Sequence, residues 1–317
     1  MRKNILILSN RETYIKNIFC NKDIDIEYSY SNINIFLKII RRLWHFFNIN
    51  NFKVWYDFKE KNINFYDTII IFESIYPIDI IKYIRKTNKQ CRIIYWLWNP
   101  VSTLKKDFMY DKYKEFLNLL KKRYDKNLNF EIWSFDKIDC KRYNLKYNNQ
   151  VSYKVEMQKQ EIKWDFFFCG KDKNRLDKIK KIKEKFSKYK FKILVLPDKD
   201  KYYDKDDEQY ILSDPITYLE IIKYINQSRC IIDIVQDGQG GITWRPLEAM
   251  FYKKKLLTNY LDIKNYDFYN KDNIFIIEND DEKKIDIFLK QSYQEISSEI
   301  IEQYLVDGWL KNFFYKF

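Results

Sequence analysis

Short, nearly unbroken apolar runs rich in β-branched residues constrain this chain more than any other feature. Tyr66-Asp67-Thr68-Ile69-Ile70-Ile71-Phe72 and Cys91-Arg92-Ile93-Ile94-Tyr95-Trp96-Leu97-Trp98 lack polar-apolar alternation, so both faces of each strand need covering. Strands of that kind belong to parallel sheets with helical crossovers. Helical spacing over residues 78–86 joins the two runs into a βαβ unit. A strand at Ile5-Leu6-Ile7-Leu8 with a helix over 12–19, and a strand over 130–135 with a helix over 137–143, extend the alternation.

The pattern restarts near residue 164. Trp164-Asp165-Phe166-Phe167-Phe168-Cys169 reads as a strand ending at Gly170. A basic helix over 176–186, a strand over 191–196, a charged loop over 199–208 and a helix over 216–226 follow. Cys230-Ile231-Ile232-Asp233-Ile234-Val235 is another buried strand, with short strands over 255–258 and 273–277 and an amphipathic end over 292–317. The fold class is α/β, two consecutive sheets joined around 150–163, and 317 residues suffice for two cores. No run approaches the apolar length of a transmembrane helix, and the short apolar start reads as a strand rather than a signal peptide. Five cysteines without metal-type spacing suit buried thiols in a reducing cytoplasm.

Glycine is used five times, and three of the five stand at Gly238, Gly240 and Gly241. An apolar strand precedes this cluster, and a helix with Pro246 in its first turn follows. Strand, glycine turn and helix N-terminus together form an architecture that holds anions on main-chain N–H groups. Gly170-Lys171-Asp172-Lys173-Asn174-Arg175 is a second strand-to-helix turn. In a parallel sheet both turns emerge where ligands bind, and Lys171, Arg175 and Arg245 supply cations for a diphosphate. Glu248, one turn into the helix, suits a ribose diol; the plainer alternative makes it a surface charge beside ordinary turn glycines.

Gly241-Ile242-Thr243-Trp244-Arg245-Pro246-Leu247-Glu248-Ala249-Met250, followed by Lys254-Lys255-Leu256-Leu257-Thr258-Asn259, resembles the donor-site signature of GT-B glycosyltransferases of the bacterial lipopolysaccharide and capsule type. Phe167-Phe168-Cys169-Gly170-Lys171-Asp172 and Trp133-Ser134-Phe135-Asp136 are also similar. The resemblance covers chiefly residues 130–290. It implies two Rossmann-like domains facing a central cleft: an acceptor-binding domain over 1–155, a nucleotide-sugar domain over 156–290, and a C-terminal helix over 291–317 packing back toward the first. It implies donor contacts from Gly170, Lys171, Arg175, Gln239, Gly240, Gly241, Thr243, Arg245 and Glu248. Many retaining members carry a second glutamate eight residues earlier. Here that position is Gly240, with Gln239 or Asp237 as substitutes, so the stereochemical outcome stays open.

Glycosyl transfer requires stabilisation of the leaving diphosphate, which cations and helix-end amides provide without a metal or cofactor. An inverting enzyme adds a general base, and Glu73, just past the Tyr66-to-Phe72 run, is the best placed by sequence; a loop charge is the alternative. Asp237 is the second catalytic candidate. His45, the only histidine, reads as a solvated helix residue before it reads as a base. Lysines alternate with the acids of the 198–208 loop, so its Asp-x-Asp spacings read as solvated charge rather than a metal site. Trp96 and Trp98 suit either an acceptor sugar or the core.

Residues 1–150 carry 28 basic against 16 acidic side chains, an excess of +12, whereas the remainder carries 30 against 29. AT-rich coding accounts for many lysines; an anionic membrane or lipid-linked partner is the functional alternative. Over residues 35–47, polar side chains at 38, 41, 42 and 45 leave a broad apolar face. That suits an interfacial helix, or a sheet-covering helix with a solvated basic edge. The expected partners are therefore a nucleotide sugar, a glycan or lipid-linked acceptor and an anionic membrane surface, in the cytoplasm. Nucleic acid is not expected, because the basic residues are dispersed and no motif is present. A nucleic-acid-binding protein and a catalytically silent sugar-binding subunit are the competing readings. No G-x-G-x-x-G follows the first strand, which disfavours a dinucleotide dehydrogenase.

Overall fold

Every long apolar run becomes a parallel strand. The computed structural model describes residues 4–10, 13–19, 24–47, 49, 52–104, 106–107, 110–199, 201–236 and 239–314. It divides into two compact units, Met1–Asn149 and Gln150–Phe317, each built on its own sheet.

The first unit runs β1 (Ile5–Ser9), α1 (Thr13–Phe19), β2 (Asp25–Tyr28), α2 (Ile35–Phe46), β3 (Thr68–Phe72), α3 (Pro77–Thr87) and β4 (Arg92–Leu97). Two-residue strands β5 (Lys106–Asp107) and β6 (Tyr110–Asp111) pair with each other, before α4 (Lys112–Lys122), β7 (Phe130–Ser134), α5 (Lys137–Tyr143) and β8 (Lys146–Tyr147). The sheet order is β2-β1-β3-β4-β7-β8, all parallel. Ile70 lies opposite Ile7 on one side and Ile94 on the other, and all three are buried. Pro77 opens α3, where its missing N–H has no helical partner to lose, and Arg85 and Lys86 occupy the last turn, favoured by the helix dipole.

Half of the expected basic edge of α2 turns inward: Lys38 stays exposed and Arg42 half-buried, but Arg41 and His45 do not face solvent. Arg41 is buried with its guanidinium 4.5 Å from the Tyr30 ring. The His45 side chain is only 2% exposed; its Nδ1 lies 2.7 Å from Asp79 Oδ2, and its ring stacks on Tyr76 and Phe52. His45 is therefore not a solvated residue. Partners distant in sequence, Asp79 and Tyr30, draw these polar side chains inward. Leu37, Ile40 and Trp44 pack beside them on the core.

The second unit runs β9 (Trp164–Lys171), α6 (Leu176–Lys185), β10 (Phe191–Leu196), α7 (Lys205–Glu208), α8 (Tyr218–Asn226), β11 (Ser228–Asp233), α9 (Trp244–Phe251), β12 (Lys255–Thr258), β13 (Ile274–Ile276), α10 (Ile285–Lys290), α11 (Ser298–Tyr304) and α12 (Val306–Phe314). Its sheet order is β10-β9-β11-β12-β13, again parallel. Alternate residues of β9 feed two cores: Phe167 joins Leu247, Leu256 and Tyr304, whereas Phe166 and Phe168 join Ile179, Leu257 and Phe288. Thr217 and Glu220 form a capping box that starts α8. The charged loop contains the short α7, capped by Asp204, and Asp207 is buried against Lys180 at 2.5 Å.

The C-terminal stretch is two helices. A Cβ on Gly308 would lie 2.2 Å from the Glu302 carbonyl oxygen, so the α11–α12 corner requires glycine. The Ser152 N–H donates to the Tyr304 carbonyl at 3.0 Å, tying the start of this unit to its last helices.

Candidate functional site

In the second unit, the carboxyl ends of β9 and β11 and the start of α9 hold a buried charge cluster. Arg175 is its organiser. Its guanidinium donates to the carbonyls of Lys171, Asp172 (3.2 Å) and Ile234 (3.1 Å), and lies over the Phe168 ring. Gly170 is not a turn residue, as the sequence suggests: it is a ladder residue of β9 paired with Val195. Its lack of a side chain makes room for Arg175, because a Cβ would stand 2.9 Å from Nη2. Lys171 is exposed at the strand end.

Thr243 caps α9: its hydroxyl accepts from the Arg245 N–H at 3.1 Å and donates to Asp233 Oδ1 at 2.9 Å. Asp233 is buried, and burial pushes its carboxyl up, opposed by Thr243, Arg175 and Arg245. Glu248 is not the surface charge of the plainer reading. It is fully buried and paired with Arg245 through Oε2, with the buried Tyr218 hydroxyl beside it. Burial raises its pKa against the pull of Arg245.

The glycine turn is pinned from the residues just past β12. The Tyr260 hydroxyl donates to the Gly240 carbonyl at 2.8 Å, and Asn259 Oδ1 accepts from the Val235 N–H at 2.9 Å. Gln239 folds onto the turn, donating to the Gly241 carbonyl at 2.8 Å. Asp237 and Gly238 lie outside the described residues. Gly240, Gly241, Thr243, Arg245 and Glu248 thus fall in one locality with Arg175. Sequence reasoning gave no role to Asp233 or Tyr260, and met Asn259 only as the end of the Lys254-to-Asn259 resemblance. An acid inside an apolar strand was the available signal for Asp233; nothing local marks Tyr260.

In the first unit, Glu73 follows β3 directly with φ of 28°, the left-handed region a side chain rarely occupies. Its N–H donates to the Trp96 carbonyl (3.0 Å), and its carbonyl accepts from Asn10 Nδ2 (3.0 Å). Oε2 accepts the N–H of Asn99 at 2.9 Å and Nδ2 of Asn99 at 2.7 Å. Lys112 Nζ lies 3.4 Å from Oε1. Burial raises the Glu73 pKa, with Lys112 and Asn99 holding it back.

Two cavities of about 50 and 30 Å3 share Asn10, Glu73 and Lys112. Trp98 and Asn99 line the larger, and Tyr110 and Glu115 the smaller. Trp96, in contrast, is fully buried and belongs to the core. Glu73 stands just past β3, where the sequence puts it; Asn10 and Lys112 reach it from 63 and 39 residues away. Among the described residues no group of three or more His, Cys, Asp or Glu side chains is placed to hold a metal ion, and no helix is long and apolar enough to cross a membrane. Cys91, Cys169 and Cys230 are buried free thiols, and Cys140 is a half-buried one.

No protein-family model matches the sequence, and no curated relative is detected. Solved structures do match. TarM aligns with a TM-score of 0.50 at 13% identity over 78% of this chain and 53% of TarM, so the chain spans about half of that protein. The DNA modifying enzyme β-glucosyltransferase, determined with and without its substrate uridine diphosphoglucose, aligns with a TM-score of 0.50 at 12% identity over 98% of this chain and 94% of its own. At such identity the likeness establishes the fold: two Rossmann-like α/β domains of the GT-B kind.

Proposed function

We propose that this chain is a glycosyltransferase that moves a sugar from a nucleotide-diphosphate donor to a hydroxyl of a glycan or lipid-linked acceptor, in cytoplasmic steps of cell-surface polysaccharide assembly. The second unit takes the donor and the first unit the acceptor. The observation that carries this is Glu73: a strained, half-buried carboxylate with a raised pKa, fixed at a parallel strand's carboxyl end and bordering two cavities. The neighbour that binds uridine diphosphoglucose supports a nucleotide-sugar donor.

In this reading Glu73 takes the proton from the acceptor hydroxyl as that oxygen bonds to the anomeric carbon. The anomeric carbon–phosphate oxygen bond breaks, and its electron pair leaves with the nucleoside diphosphate. Lys171, Arg245 and the α9 N-terminus stabilise that charge, and the reading assigns no cofactor or metal. Such a displacement inverts the anomeric centre.

A thermal-shift screen with UDP, GDP, CDP, dTDP and their sugars tests the donor half. One nucleotide family should stabilise the chain, by about 2.7 kcal/mol at a hundredfold its dissociation constant. Indifference to all of them, with no hydrolysis of any nucleotide sugar, would sink the reading.

One observation favours a second acceptor class. The neighbour covered over 94% of its length modifies DNA, and the first unit here holds nearly all the net positive charge. A steep salt-dependent affinity for oligonucleotides would support a nucleic-acid hydroxyl as acceptor.

A further inference from the structure

The α2 helix buries Arg41 and His45 beside Leu37, Ile40 and Trp44, and leaves its other large apolar side chains facing out. Ile35, Phe36, Ile39, Leu43, Phe46 and Phe47 are all exposed, Phe46 by 81% and Phe47 by 66%. They sit at positions i, i+1, i+4, i+8, i+11 and i+12, one broad face running the length of the helix. The roll is set from beneath: Arg41 lies against Tyr30, and His45 is bonded to Asp79 and stacked between Tyr76 and Phe52. Rotating the helix to bury the phenylalanines would pull the arginine and histidine out of those contacts. A contiguous apolar face held outward in this way is an interaction surface.

We propose that this face docks on a lipid bilayer bearing anionic headgroups. Charge selects that occupant. No Asp or Glu occurs between Glu27 and Asp57, whereas Lys38, Arg41, Arg42 and Lys53 do, and Lys38 and Lys53 are exposed. Phenylalanines and aliphatic side chains that enter the acyl boundary beneath a fringe of lysine are the composition of an interfacial helix. A second copy of the chain would bring the same cations against themselves. A nucleic acid would meet the cations but leave the apolar side chains without a partner. The proposal stands apart from glycosyl transfer, since none of these residues lies among the donor or acceptor groups.

The test is flotation of the full chain with vesicles of phosphatidylcholine alone and with about 30 mol% phosphatidylglycerol. The anionic vesicles should bind about tenfold or more tightly than the neutral ones, with affinity falling as salt rises. Phe46→Ser/Phe47→Ser should lose about tenfold on anionic vesicles while keeping the wild-type circular dichroism and nucleotide affinity. Lys38→Glu should weaken anionic binding alone. Equal binding by the double variant, or no preference for anionic lipid, overturns the proposal. So does a dimer that the double variant dissolves, or salt-sensitive oligonucleotide binding without vesicle binding. Unchanged nucleotide affinity in the double variant separates failure here from failure of the transferase reading.

Discussion

Both donors of Asn99, the main-chain N–H and the side-chain amide, converge on one oxygen of Glu73, while Lys112 stands beside the other. Burial raises the pKa of this carboxyl, and Lys112 and Asn99 pull it back toward its ordinary range.

Glu73→Gln should lower kcat by about a hundredfold or more with nucleotide affinity unchanged, as single-turnover kinetics and calorimetry would register. Because the ionised form is the base, kcat/KM should rise with pH, with its acid limb above the ordinary glutamate range. The stability sign is opposite. A carboxyl whose folded pKa is raised gives its stabilisation below the unfolded pKa and loses it as pH rises through the folded value. At neutral pH Glu73→Gln should therefore melt higher than the wild type, and the gap should close in acid. A variant that keeps wild-type turnover removes Glu73 from the chemistry.

Arg245 and Glu248 should behave as one unit. Removing either partner strands a buried charge, so Arg245→Ala and Glu248→Ala should each cost about 3 kcal/mol or more in urea unfolding. The joint replacement Arg245→Met/Glu248→Leu should cost less than the sum of the two, and should still lose nucleotide affinity. Additive single losses would mean that the two side chains do not depend on each other.

Tyr260→Phe deletes one hydroxyl and leaves the Gly240 carbonyl without that donor. The expected cost is about 1 kcal/mol in stability, with nucleotide affinity weakened several-fold because the glycine turn loses an anchor. Unaltered affinity would show that the turn keeps its shape without Tyr260.

Both sheets were legible because two-sided burial writes itself as an unbroken apolar run, as in Ile69-Ile70-Ile71 and Cys230-Ile231-Ile232. Glu73 was legible for a related reason: a parallel strand's carboxyl end is fixed by where the run stops. Its neighbours Asn10 and Lys112 were not, since strand order alone brings them close. The α2 periodicity identified two faces correctly, yet nothing local says which one turns inward. That depends on Asp79, which accepts His45, and on the Tyr30 ring, over which Arg41 lies. Glu248 shows the same limit: helix spacing put it near the glycine turn, but its burial depends on Arg245 and the core around Leu247. Gly170 was misread because a glycine at the end of an apolar run looks like a turn, whereas this one clears space for a guanidinium.

The bond from Ser152 to Tyr304 brings the incoming segment of the second unit alongside its outgoing helices. A clasp of that kind ties the fate of α11 to that of the opening stretch: fraying one should loosen the other, so the two should open as one cooperative piece in hydrogen exchange.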